Sequence, residues 1–538
     1  MKTNRFLKLI AVVLSVFMIM TAIAIPAFAA DEEGGAAAAA PTPVTTDDSF
    51  DKWDGVSTAD DFWSQYDPAA NGNGTVITID SAAKLAGFSK AVNDAKIGGS
   101  TGAFAGYVIK LTKNIDLKCY EFTSIGKIYG TNFGGTFEGD VNGKAPVVAN
   151  LYIPQPSGNN LGFVGNLRGG AMSNITLLNA TVGNVASDGA NAVMLGYASK
   201  TITKLENLTV IDSTVYAAGG SIGHTGYCLG TIKSDNVVTL KNFAAINCST
   251  VVETSKHSGA VIAYLQQKPG NISYTVENAF LSGRTETEEY AILGGIVARI
   301  DNLNGDGVVT FKNCQYNANI FGDITEVGTD AALPVGILVG DASAGCNIAI
   351  ENFLCTGTAS GLENATALIG NAGGVLNVTA TNVYTTNPLQ LVGMDATTAD
   401  LPAITINTVD YNAIKGAGAT TALAGFDFTN VWETRDGKIP TLKIATADEY
   451  VAVTTTIPSD TKPVEPQPPV DDNPQNPGND GNDQTPGNNN TQTPDNNAPA
   501  ADDAKKDDGG CGSVVSATAL VTLLTLGMGV TVIRKKKD

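Results

Sequence analysis

Along the middle of the chain, apolar residues come in short runs bounded by small residues. Each run is followed by an asparagine that opens a second apolar stretch. Gly162-Phe-Val-Gly165 precedes Asn174-Ile-Thr-Leu, and Gly219-Gly-Ser-Ile-Gly223 precedes Asn242-Phe-Ala-Ala. Gly294-Gly-Ile-Val-Ala298 precedes Asn313-Cys-Gln-Tyr, and Gly336-Ile-Leu-Val-Gly340 precedes Asn352-Phe-Leu-Cys. The opening asparagines are Asn150, Asn174, Asn207, Asn242, Asn278, Asn313, Asn352 and Asn382, separated by 24, 33, 35, 36, 35, 39 and 30 residues. Val, Ile, Thr, Leu and Phe alternate within each stretch, and Gly, Asn and Asp interrupt them, which is strand and turn chemistry. A near-constant period without helix formers predicts one coil of short strands per repeat, stacked as an all-β parallel β-helix solenoid. A β-sandwich array would need longer strands and longer periods. Stacking predicts an amide ladder of the asparagines, with Val, Ile and Leu above one another in the core. The Gly-x-x-Gly turns are expected to use positive φ and close packing. Irregular gaps predict loop insertions at 233–238 and 301–307.

Upstream the pattern changes. Leu85, Phe88 and Val92 share one helical face behind Asp80-Ser, predicting a short amphipathic helix that covers the open first coil. The stretch 107–117 then reads as the first strands.

This ordered set carries a resemblance. It comprises Trp53-Asp-Gly, Ile79-Asp-Ser-Ala-Ala-Lys-Leu85-Ala, Leu111-Thr-Lys-Asn-Ile-Asp-Leu117, Phe122-Thr-Ser-Ile-Gly126 and Phe133-Gly-Gly-Thr-Phe-Glu-Gly-Asp140. With Asn150-Leu-Tyr-Ile and Gly162-Phe-Val-Gly165 it resembles bacterial surface proteins with GLUG-type repeats. A closing phrase of that kind follows at Phe426-Asp-Phe-Thr-Asn-Val-Trp432 and Asp436-Gly-Lys-Ile-Pro440-Thr-Leu. The likeness spans about residues 50–445. It departs from the pattern at Asp140-Val-Asn-Gly and where Ala263 and Ala298 replace the second glycine. It implies a right-handed parallel β-helix and a role in adhesion or surface display rather than a defined reaction.

The ends of the chain add location. Lys2, Arg5 and Lys8, an apolar run and Ala27-Phe-Ala29 read as a secretory signal peptide over 1–30, followed by a disordered segment at 31–50. The N-terminal capping region is assigned to 51–148 and the repeat β-helix to 149–445. Residues 446–510 are rich in Pro, Asn and Asp and read as a disordered linker. Residues 511–538 read as a C-terminal transmembrane helix with a basic cytoplasmic tail, Arg534-Lys-Lys-Lys537. Cys511, in Gly-Gly-Cys-Gly, resembles the position of tail processing or modification in bacterial C-terminal sorting signals.

Composition bears mainly on exclusion. A net charge of −20 over 538 residues argues against nucleic acid as a partner. The expected partners are a host or neighbouring-cell surface ligand or a polysaccharide, and the membrane through the C-terminal helix. Tyr216, Tyr227, Tyr264 and Tyr290 are the candidate exposed aromatics for such binding. Six cysteines lie between 119 and 355 with no Cys-x-x-Cys spacing, which argues against a structural zinc site; buried free thiols are expected, with disulfides in an oxidising exterior as the alternative. Asn302-Leu-Asn-Gly-Asp306-Gly begins like a calcium loop, but Asn313 stands where the last ligand should be Glu, so it reads as a turn. Catalysis finds no linear signature. The only histidines, His224 and His257, read as turn or surface residues, Arg435-Asp-Gly-Lys438 has the wrong spacing for a β-helix lyase, and Asp60-Asp61 precedes the helix. The expectation is a non-enzymatic binding protein without cofactor or metal, a polysaccharide lyase or hydrolase and a structural envelope component being the alternatives.

Overall fold

The computed structural model describes residues 41–64, 75–127, 131–154, 160–184, 189–217, 223–252, 257–266, 272–287, 292–301, 306–322, 335–360, 367–373, 376–394 and 404–445. The chain winds as a parallel β-solenoid in which each strand pairs with its counterpart one coil later. Alternation along each strand sends every second side chain inward, where like residues stack. One inward column runs Ile77, Ile109, Phe137, Met172, Leu205, Leu240, Val276, Phe311, Ile350 and Ala380. Leu, Ile and Phe positions buried in this way contribute about 1.5–3 kcal/mol each. Parallel stacking already includes Asp51–Lys52, paired with Ile115–Asp116, and Val76–Ile79, and its last strand is Ile406–Thr408.

The sharp corner between two strands of a coil is made by a single residue with positive φ. Asn174, Asn207, Asn242, Asn278, Asn313, Asn352 and Asn382 all have φ between 53° and 59°. Asparagine tolerates this left-handed region better than other residues with a side chain, which explains its recurrence. Their amides form a ladder, each Nδ2 donating to the previous Oδ1 at 2.6–3.1 Å. Asn150 is not part of it. It sits at the next corner, where Asn179 Nδ2 donates to its Oδ1 at 2.7 Å, and Asp212 and Asn247 continue that second column. Both corners demand the same backbone conformation, so one residue type marks both, and the 24-residue gap compares two different corners.

The repeat glycines act by absence of a side chain rather than by φ. Gly165, Gly196, Gly230, Gly340 and Gly370 are not in the positive-φ region. A Cβ on Gly230 would stand 2.1 Å from Gly196 O, and one on Gly340 2.6 Å from Ala298 O. The register runs on through Ala263 and Ala298. Gly294 makes room for Ala298, since its own Cβ would lie 2.4 Å from Ala298 Cα.

The helix Ala82–Asn93 begins at Ser81, whose hydroxyl accepts from Lys84 N. Leu85, Phe88 and Val92 are buried, with Phe88 against Phe104 and Phe133. Asn93 holds its end to the solenoid by donating to Ser124 O and accepting from Lys127 N.

Two further segments lie on the outer face of one sheet. Residues 409–445, including the hairpin Trp432–Arg435 and Lys438–Leu442, fold back along the solenoid instead of closing its end. Tyr384 donates to Ala424 O, while Gln315, fully buried, donates to Pro440 O at 2.9 Å and accepts from Leu442 N at 3.3 Å. Trp432, Ile439 and Leu442 thereby cover Leu354 and Phe280 in a second apolar cluster. From the other side, residues 41–50 lie against Asn150 and Asn179: Val44 N donates to Asn150 Oδ1 and Asn179 Nδ2 to Thr42 O. The closing phrase is therefore a strap.

Candidate functional site

Two places on the outside of the solenoid concentrate polar side chains. The first is an outward column on a different sheet from the strap: Asn166, Tyr197, Thr231, Tyr264, Arg299, Asp341 and Asn371, in register. Outward residues of a flank are ordinarily solvated, but here Tyr264 and Asp341 are buried. Arg299 holds the cluster together. Its Nε lies 2.7 Å from Asp301 Oδ1 and its Nη1 3.5 Å from Asp341 Oδ2. Tyr264 donates to the other oxygen of Asp301.

Both histidines join this cluster. They are stacked on successive coils, His224 9% and His257 2% exposed, with Nδ1 atoms 3.0 Å apart. Arg299 Nη1 lies 3.0 Å from His257 Nε2. A guanidinium only donates, so Nε2 accepts and the His257 proton sits on Nδ1. His224 Nδ1 then accepts that proton's hydrogen bond, and its own proton sits on Nε2. The expectation of turn or surface histidines is overturned. They lie 33 residues apart, one coil, and stacking rather than proximity in sequence brings them together.

Burial pushes the Asp341 carboxyl above its ordinary range, against the opposing pull of Arg299. Burial, then Asp301, raises the Tyr264 phenol. Burial opposes the Arg299 charge, but its carboxylate partners outweigh that and hold it protonated. Thr231 Oγ1 and Asn371 Oδ1, in the column on either side of Tyr264, Arg299 and Asp341, are buried without a protein hydrogen bond.

The second place is an open groove of about 780 Å³ beside the asparagine ladder. Asn174, Asn207 and Asn242 line it, with Thr209. The turn 140–145 forms one wall, held by Asp140 Oδ1 accepting from Gly143 N, and Ile444 of the strap lines another part. Alongside runs an outward column of mixed charge: Lys110, Glu138, Ser173, Glu206, Lys241, Glu277, Lys312 and Glu351. Lys110 reaches Glu138 at 3.3 Å and Lys241 reaches Glu277 at 3.8 Å.

No protein-family model, curated protein or solved structure matches this chain. Its reading rests on its own geometry.

Several expected positions fall elsewhere. Tyr227 is buried, its hydroxyl 3.2 Å from Thr285 Oγ1, and Tyr264 belongs to the cluster, so neither is an exposed aromatic. Tyr216 is half-buried, and Tyr290 lies outside the described residues. The 233–238 segment is a tight turn organised by Asn236, whose amide donates to Ile202 O. Of the calcium-like loop, 302–305 lie outside the described residues, and Asn313 is a ladder corner. Among the described residues no group of three His, Cys, Asp or Glu is placed to hold a metal ion. Cys119, Cys228, Cys248, Cys314, Cys346 and Cys355 are buried, and no disulfide joins any two of them. Burial pushes the Cys248, Cys314 and Cys355 thiols up to about 12. Residues 1–30, the linker and Cys511 with the apolar segment after it lie outside the described residues. No helix among the described residues is long and apolar enough to cross a membrane.

Proposed function

We infer that this is an exported, envelope-anchored binding protein, displaying a right-handed solenoid of the GLUG-like kind to a polysaccharide or a surface ligand. One observation carries this reading. An open polar groove is set along the repeat, and its floor of amides belongs to the scaffold itself. Such a site offers hydrogen bonds at a fixed spacing and needs no moving part. The terminal sequences support export and anchoring, and the negative charge keeps nucleic acid off the flank. The helix Ala82–Asn93 serves in this reading as the cover of the first coil. The test is a glycan and matrix-protein binding screen with the full-length protein. Saturable binding is expected, and silence across the screen rejects the reading in favour of a structural envelope role.

A second reading is polysaccharide cleavage, favoured by one observation: Asp301 and Asp341 flank Arg299 on one sheet face, and burial raises Asp341. A carboxyl raised by burial with a second carboxylate nearby is the kind of pair that acid–base cleavage of a glycan uses. Oligosaccharide released by the wild type and lost in both Asp301→Asn and Asp341→Asn would establish it. No release from any glycan that binds removes it.

A further inference from the structure

We propose that the amide groove takes an extended, uncharged glycan lying parallel to the solenoid axis, one sugar unit per coil over three coils. This rests on the binding reading above and gives it a site and a ligand class.

The floor sets the chemistry. A primary amide has two N–H donors and two acceptor lone pairs. In the ladder Asn207 gives one N–H to Asn174 and accepts one from Asn242, and Asn242 does the same between Asn207 and Asn278. Each keeps one donor and one acceptor for a ligand. Asn174 keeps more, because the position before it in the stack is Gly139, which has no side chain to receive its N–H groups. The groove thus presents a donor and an acceptor side by side, repeated at the coil spacing.

That spacing selects the ligand. Parallel strands stack about 4.8 Å apart, close to the length of one pyranose unit in an extended chain, whereas a peptide strand advances about 3.3 Å per residue and falls out of step. Neighbouring ring hydroxyls, each both donor and acceptor, match an amide edge. Charge selects against acidic glycans: Glu138, Asp140 and Glu206 stand near Lys144 and Lys241, so no net positive field awaits a uronate. Val141, Val147 and Ile444 offer apolar surface to the C–H face of a ring.

The strap sets the length. Its last turn, Lys443–Ala445, packs against Val238–Val252, the strand that carries Asn242. Beyond it Asn278 and Asn313 are buried, and Gly425 lies over Asn382. Only Asn174, Asn207 and Asn242 face the groove.

The experiment is calorimetric titration of the full-length protein with β-1,4-linked glucose, xylose and N-acetylglucosamine oligomers of two to six units, with oligogalacturonate as the charged control. Two variants make equal lesions in the ladder. Asn207→Asp lies in the groove and Asn352→Asp outside it, and Asp212 shows that aspartate is accommodated at such a corner. Affinity should rise to three units and then level, and Asn207→Asp should weaken it about tenfold, or 1.4 kcal/mol, with Asn352→Asp unchanged. Equal loss in both variants, or preference for oligogalacturonate, overturns the proposal. If none of the neutral oligomers binds while another surface ligand does, the groove assignment fails and the binding reading stands. If nothing binds, both fail.

Discussion

Asparagine does two jobs at each corner of this solenoid, and they can be separated. It accepts a left-handed backbone, and its amide joins the neighbouring coils. Asn278→Ala should lose both, costing about 1–2 kcal/mol for the left-handed conformation and about 1 kcal/mol more for the lost hydrogen bonds. Asn278→Gly should recover the backbone part and not the ladder, so denaturant titration should place it between wild type and alanine. Asp212 is the natural exception. Burial raises its carboxyl above the ordinary value, while Asn247 Nδ2 donates to it and opposes the shift. A raised acid stabilises the fold when protonated, an effect fully present below the unfolded value of 3.8 and lost as pH rises through the folded value. Asp212→Asn should therefore leave the melting temperature near wild type at pH 3 and raise it at pH 7. An equal effect at both pH values would refute this account. At this scale much was legible, because the ladder residues from Asn174 to Asn382 announce themselves by period. Asn150 was misplaced because sequence does not distinguish two corners with the same backbone demand.

Among the elements, the strap was visible as a phrase and invisible as a position. Phe426, Trp432 and Pro440 read as the end of a repeat array, yet nothing local says that they return over Phe280 and Leu354. That information is held in the outer face, where apolar residues such as Phe280, Leu354 and Tyr384 replace the polar ones expected of a solvated sheet. Gln315, in the same outward row, is the polar clasp. Gln315→Ala should cost about 1–3 kcal/mol, because Pro440 O and Leu442 N–H lose their partner in a buried place. Hydrogen exchange should locate the loss in Lys438–Leu442, with the inward columns protected as before. The histidine cluster was illegible for a related reason: residues one coil apart become neighbours only after the outward and inward positions of each strand are assigned.

For the molecule as a whole, a solenoid in which each coil touches only its neighbours tends to unfold in parts. The strap changes that, since one segment bonds to the coils of Tyr384 and Gln315 and packs onto the coil of Asn242. Removing residues 409–445 should broaden the thermal transition and split it, the later coils melting first. A single sharp transition in the truncated protein would contradict this. The repeat architecture could be read from spacing alone, whereas the coupling of distant coils could not, because it depends on one non-repeating segment. The place where that segment ends has a mechanical consequence. Tension applied at Ala445 is met first by its final turn, then by the hairpin, and only afterwards by any coil. Peeling would proceed from the groove end, lifting first the turn that packs on the strand of Asn242 and then the hairpin clasped by Gln315, so that a loaded molecule would widen its groove before any coil is disturbed.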